Sequence, residues 1–223
     1  MAVDVVFLQV IPYFAGLSPA ALDSIGKFIF EKTAERGDVI LFEGEPAEAL
    51  YFIASGVVKV FKTSAEGKEQ ILNIIRPGES FNDVPVFDSE PNPASAQAMG
   101  PVVLYGITKS DLEAIVRDHP QVALNVNRVL AGRVRDLVSL VDDLSFRHVT
   151  GRVAKILLEN TGDGNEPRPR LTQQDMAAMA GTVREVVGRS LKALEEEGAI
   201  RLDRHRIVIT DREALRDRVE AYY

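Results

Sequence analysis

Three patterns predict an α+β protein in which an antiparallel β-rich part comes first, one long helix next and a set of short helices last. From Gly37 to about Thr108, short β-branched or aromatic runs (VILF, LYFIAS, VVKVFK, QILNII, VVLYGI) alternate with turn signals at Gly37, Gly44, Gly56, Gly67 and Pro77-Gly78. From Gln121 to Phe146 the only helix breaker is one glycine. From Gly151 onward, helix-capping pairs recur at short intervals. The expected division is residues 1–119, 120–145 and 146–223.

Turns spaced about ten residues apart predict an antiparallel barrel or sandwich of the first part. Ahead of it, GLSPAALDSIGKFI, 16 to 29, predicts a helix with Ser18 as N-cap and Pro19 at its first position, covering one end of the barrel. After it, Ser110 and Asp111 open a short helix that ends at Pro120. In the long helix that follows, Ala123, Asn127, Leu130, Val134, Leu137, Val141 and Leu144 succeed one another at alternating steps of four and three. That period is the seam of a parallel two-helix coiled coil, so a homodimer is expected, with Asn127 setting register. The plainer alternative is a helix packed on its own barrel, which needs a wider apolar stripe.

The last part reads as three helices, a hairpin and a last helix. Gly151 to Leu158 is the first helix, and the polar loop TGDGNEPRPR ends it. Thr172 with Asp175, Thr182 with Glu185 and Thr210 with Glu213 all have capping-box spacing, which starts three further helices. Ala177, Gly181 and Val187 supply the small residue, the turn and the branched apolar residue of a helix-turn-helix. AIRLDRHRIVI forms two short strands around Asp203–Arg206, a wing with a basic tip.

In the second helix of that motif, Val183, Val187, Leu191 and Leu194 are expected to turn inward. Arg184, Glu185 and Arg189 then face outward within an arc of about 140°, at 100° per residue. Arginine donates two hydrogen bonds to guanine O6 and N7 and glutamate accepts from cytosine N4, so these three are the expected base readers on double-stranded DNA. Thr172, Thr182 and Arg204 are the expected phosphate contacts. The plainer alternative is that Glu185 only caps and the charges are solvated.

Composition fits this reading and excludes others. The net charge of −7 is uneven: residues 1–144 carry 12 Lys+Arg against 20 Asp+Glu, and residues 145–223 carry 14 against 13. The second part therefore has room for a basic face despite the overall acidity. Absence of cysteine removes disulfides, thiolate nucleophiles and cysteine-ligated iron–sulfur clusters. His119, His148 and His205 lack ligand spacing, so no metal is expected. No Gly-rich phosphate loop or nucleophile constellation appears, which argues against an enzyme. Neither a membrane span nor a signal peptide is indicated, and a cytoplasmic location is expected.

At LSFRHVTGRVAKILLEN (144–160), LTQQDMAAMAGTVREVVGRSLKALEEEGAI (171–200) and GDVILFEGEPAEALYFIASGVVKVFK (37–62) the chain resembles the cyclic-AMP receptor protein and fumarate–nitrate regulator (Crp/Fnr) superfamily of bacterial transcription regulators. The resemblance implies a cyclic-nucleotide-binding-type jelly roll, a dimerising helix and a winged helix-turn-helix. It also implies RNA polymerase as a partner, and an effector that acts by shifting conformational populations. In the cyclic-AMP-responsive branch an R-E-x-x-x-R motif reads TGTGA; Arg184, Glu185 and Arg189 match it one for one, which implies two inverted half-sites about one helical turn apart. At the effector the chain departs from that branch. Asn82-Asp83 stand for its Gly-Glu, Pro93-Ala94 for the phosphate-binding Arg-Ser, and Leu137-Val138 for the adenine-contacting Thr-Ser. These losses argue against cyclic AMP and cyclic GMP. PNPASAQA looks like regulators of denitrification, some of which bind haem, so haem stays open although no histidine falls in the barrel. Asn82, Asp83, Val84, Leu137 and Val138 are the expected effector contacts, with plain packing as their alternative. A cyclic-nucleotide-type regulatory module without DNA readout is the competing function. It would need no helix-turn-helix and should keep the phosphate arginine.

Overall fold

The computed structural model describes residues 5–160, 171–203 and 206–221. The N-terminal elements are α1 (Val5–Val10), a 3-10 turn over Pro12–Phe14 and α2 (Pro19–Gly26). Ser18 caps α2 as expected, its hydroxyl accepting from the Ala21 N–H. The helix stops earlier than predicted, at Gly26, because Ile29 already pairs with Ile107 in a strand that the turn pattern had not included, β1 (Ile29–Ala34). Strands β2 (Val39–Leu41), β3 (Ala49–Ser55), β4 (Val58–Thr63), β5 (Glu69–Ile75) and β6 (Ser80–Phe81) follow. A short helix α3 (Asp83–Asp88), also not anticipated, leads to β7 (Ser95–Ala98) and β8 (Val102–Thr108).

These strands form two four-stranded antiparallel sheets, β1-β8-β3-β6 and β2-β7-β4-β5, a jelly roll of facing sheets rather than a closed barrel. Strand β3 shows why its sequence reads as an unbroken apolar run. Leu50 and Phe52 pack on the helices, with Tyr13, Phe14, Leu22, Ile25 and Leu112, while Ala49, Tyr51 and Ile53 face the space between the sheets, with Ile40, Val58 and Ala96 of the other sheet and Phe81 and Leu104 of their own. A strand buried on both faces has no polar alternation to show.

Helix α4 (Lys109–Asp118), capped by Thr108, leads into α5 (Pro120–Phe146), a single 27-residue helix that runs through Gly132. Val122 and Val126 bury its first turns in the core, and Asn125 donates to the backbone oxygens of Tyr13 at 3.0 Å and Ala15 at 2.9 Å. The C-terminal elements are α6 (Val149–Asn160), α7 (Gln173–Ala180), α8 (Arg184–Glu196), β9 (Ile200–Asp203), β10 (Arg206–Ile209) and α9 (Arg212–Glu220). The loop at 161–170 and the wing tip with Arg204 and His205 lie outside the described residues. Two N-caps differ from the capping-box expectation. Val183, not Thr182, caps α8, and Asp211 caps α9, accepting from Glu213 and Ala214 N–H, while the Thr210 hydroxyl donates instead to Gly198 O at 2.6 Å.

The chain divides into two compact units. One runs to Lys62 and from Leu72 to Asp136; the other holds Thr63–Ile71 and everything from Leu137 onward, so the boundary falls inside α5. Among the described residues no helix is long and apolar enough to cross a membrane, and no group of three or more His, Cys, Asp or Glu could hold a metal ion.

Gly56 and Gly67 separate two uses of glycine. Both have left-handed backbone, φ +87 and +80, but a Cβ on Gly56 would stand 2.4 Å from Pro101 O, whereas one on Gly67 would meet nothing within 4 Å. Gly67→Ala should cost about 1–2 kcal/mol for conformation alone, and Gly56→Ala clearly more. Urea unfolding of both variants checks this, and equal losses would contradict the close approach.

Candidate nucleic-acid interface

The reading surface is built outward from α7. Thr172 Oγ1 accepts from the Asp175 N–H at 3.1 Å and Asp175 Oδ2 accepts from the Thr172 N–H at 2.8 Å, a reciprocal cap that starts α7 as predicted. Gly181 ends it in the left-handed region at φ 64, and a Cβ there would come within 2.8 Å of Leu144 Cδ2, so turn and packing both require glycine. Val187, Ser190, Leu191 and Leu194 bury the inner face of α8 against Val153, Leu157, Met176 and Leu215. Val183 does not join them: it stands half exposed, because the helix begins one residue later than the capping pattern implied. Arg184, Glu185 and Arg189 are all exposed on the outer face, as the spacing predicted. Glu185 lies in the first turn of α8, where a carboxylate is favoured by the helix dipole. The wing is tied to the same helix by Glu195, whose Oε1 accepts from the Leu202 N–H at 2.6 Å.

A buried polar clasp fixes these helices to the end of α5. Asp143 accepts from Arg147 Nε at 2.8 Å and from Lys155 Nζ on α6. Arg152, also on α6, donates through Nη1 to the backbone oxygens of Arg147 at 2.6 Å and Asp143 at 3.3 Å, and through Nε to Ala180 O at 2.8 Å. Ala180 is the last residue of α7 before the turn into α8, so one guanidinium joins α5 to the helix-turn-helix. Burial pulls the Arg152 guanidinium below its ordinary value, and the Asp143 carboxylate works against that. The clasp had no signal beyond charged residues at helical spacing.

Of the expected effector residues, Asn82 and Asp83 make hydrogen bonds within the first unit. Asn82 takes the left-handed backbone ahead of α3, φ 66, and donates through Nδ2 to Ala49 O at 2.9 Å. Asp83 is buried and accepts from the Tyr13 hydroxyl, from Ser80 Oγ at 2.8 Å and from Arg133 Nη1 on α5. The Arg133 guanidinium also donates to Ser80 O and, at 2.9 Å, to Ser80 Oγ. Burial, then the Asp83 charge, pushes the Tyr13 phenol far above its ordinary value. Val84 is exposed, and so are Leu137 and Val138, which belong to the second unit. Beside this network is a cavity of about 180 Å³ lined by Pro12, Tyr13, Ile75, Ser80, Arg133 and Asp136 among others; none of the five expected contacts lines it. The residues missed were Tyr13 and Arg133. Arg133 stands one helical turn before Leu137 on α5, the one clue available in the sequence. Of the histidines, His119 caps the C-terminus of α4 and His148 precedes α6, so neither lies in the sheets.

The seam residues of α5 are only partly engaged. Leu130 packs against the core, whereas Val134, Leu137 and Val141 are each at least half exposed, and Asn127 and Leu144 are exposed as well. Leu124, not included in the seam, is exposed on the same helix.

A jelly-roll unit, a long helix and a winged helix-turn-helix with outward arginines are the parts of a DNA-binding transcription regulator. The cyclic nucleotide-binding domain profile matches residues 31–119 and the Crp-like helix-turn-helix domain profile matches residues 151–218. The chain belongs to the Crp/Fnr family of transcription regulators, whose members are not enzymes. It is 37% identical to the cyclic AMP receptor protein of Thermus thermophilus, over 86% of this chain and 88% of that one. It is 34% identical to a CRP-like cAMP-activated global transcriptional regulator of Mycobacterium tuberculosis, over 91% and 93%. The solved structure of FixK2 from Bradyrhizobium japonicum superposes with a TM-score of 0.75 at 26% identity, over 85% of this chain and 96% of that one.

Removing the carboxylate of the clasp takes the shared anion away from Arg147 and Lys155, one buried and one half-buried. Asp143→Ala should therefore destabilise the chain by about 3 kcal/mol in chemical unfolding; a loss below about 0.5 kcal/mol would reduce the clasp to a surface contact.

Proposed function

We propose that the chain acts as a homodimer that reads TGTGA-like inverted half-sites with Arg184, Glu185 and Arg189, anchored on phosphate by Thr172, Thr182 and Arg204. The observation that carries this reading is the outward face of α8, where three charged side chains of the G·C-reading kind stand together on a helix whose other face is sealed into the core. Dimerisation through the exposed α5 stripe places two such helices on one duplex, at the spacing of successive grooves. Contact with RNA polymerase and a cytoplasmic location follow from this role. In functional terms the chain then has three parts: a sensor over 1–119, a dimer helix over 120–145 and a reader over 146–223.

The effector on this reading is not a cyclic nucleotide. Pro93-Ala94 offer no guanidinium to a phosphate, and Arg133, the cation nearest to Asp83, is already held by Asp83 and Ser80. Cyclic AMP itself is the competing reading, favoured by the names of the two relatives. Thermal melting separates them. With 1 mM cyclic AMP the midpoint should stay where it is, whereas a bound nucleotide would raise it by mass action.

The DNA reading is checked by fluorescence anisotropy on a duplex carrying TGTGA-N6-TCACA and on a scrambled control. Wild type should bind the first more tightly, with affinity falling steeply as salt rises. Arg184→Ala should lose about 1–3 kcal/mol on the specific duplex and little on the scrambled one. Equal binding to both duplexes by the wild type would contradict the reading.

A further inference from the structure

Val183 does neither of the two things its position asks for. As N-cap of α8 it has extended backbone, φ −115 and ψ 156, and its side chain offers no oxygen to the free N–H groups of the first turn. Ser18, Thr108, Thr172 and Asp211 each supply that oxygen to their helices. An apolar residue at an N-cap weakens a helix relative to serine or threonine. Burial does not repay the loss either, since Val183 is 51% exposed while Val187, one turn on, is fully buried. Single exposed valines are common on protein surfaces, but this one takes the place of a cap and stands directly before Arg184 and Glu185.

The N-terminal residues of a reading helix are those that meet the base edges in the major groove. The apolar group presented there is the 5-methyl of thymine, and small branched side chains are the ones that pack on it. We propose that Val183 is a specificity-determining residue whose methyl groups pack against the 5-methyl of a thymine adjoining a base pair read by Arg184 or Glu185. This inference rests on the assignment of α8 as the DNA-reading helix and adds to it a base that the charged residues do not read.

Deoxyuridine tests it, because it differs from thymidine only by the missing methyl. Duplexes with inverted TGTGA half-sites are compared with versions in which each thymine position, in both half-sites, is replaced in turn. Wild type should bind about fourfold more weakly per half-site at one position, the worth of one buried methyl-sized group, and equally well at the others. Val183→Ser should bind the thymine and uracil duplexes alike, yet melt at the same or a higher temperature, because serine restores the cap. Those opposite directions separate base reading from damage to the helix. Val183→Ile should keep the preference. The inference is overturned if wild type binds every uracil duplex as tightly as the thymine duplex, or if Val183→Ser keeps the preference. If wild type does not prefer the half-site duplex to a scrambled one, the reading-helix assignment fails and this inference falls with it, a result visible before any uracil comparison.

Discussion

A 27-residue helix cannot bury its apolar stripe against one small sandwich, and that constraint organises the molecule. The first turns of α5 are sealed by Val122 and Val126 and held by the Asn125 hydrogen bonds to Tyr13 O and Ala15 O. Further along the same helix, Val134, Leu137, Val138 and Val141 are exposed. Four such residues in one stripe are a liability in an isolated chain and an interface in a dimer. On the proposed dimer reading a second copy covers them, and the Asp143 and Arg152 clasp at the same helix's end sets the separation of the two reading helices.

The first unit holds a buried carboxylate, Asp83, where α5 meets the strand and helix around Ser80. Asp83 is satisfied by Tyr13, Ser80 and Arg133, so the guanidinium and the carboxylate already neutralise one another. A ligand can shift such a chain between arrangements only by binding one of them better than the other. The internal pair ties α5 to the strand and helix around Ser80 and Asp83, so a ligand that rearranges this pair would act directly on α5.

Much of this was legible in the sequence where a local rule governs. Ser18-Pro19 and Thr172 with Asp175 mark helix starts that the structure keeps, and the outward placement of Arg184, Glu185 and Arg189 follows from helical geometry alone. Where the deciding contact is distant, the local rule fails. Strand β1 is an edge strand with Glu31 and Lys32 in its middle, recognisable only through its pairing with β8. Spacing offered Thr182 as a cap, but the turn after Gly181 runs one residue longer and gives the position to Val183. Arg133 meets Asp83 across 50 residues of sequence, and Tyr13 meets it across 70, so only the folded topology brings them together.

On the proposed reading, two copies of this chain act as one reader. The most direct test is the mass, by sedimentation equilibrium, of the free protein and of its complex with a duplex carrying two inverted half-sites. The free protein should have twice the 24.5 kDa mass of one chain, and the complex two chains per duplex. A free 24.5 kDa monomer that loads singly, with equal affinity for one half-site or two, would contradict it.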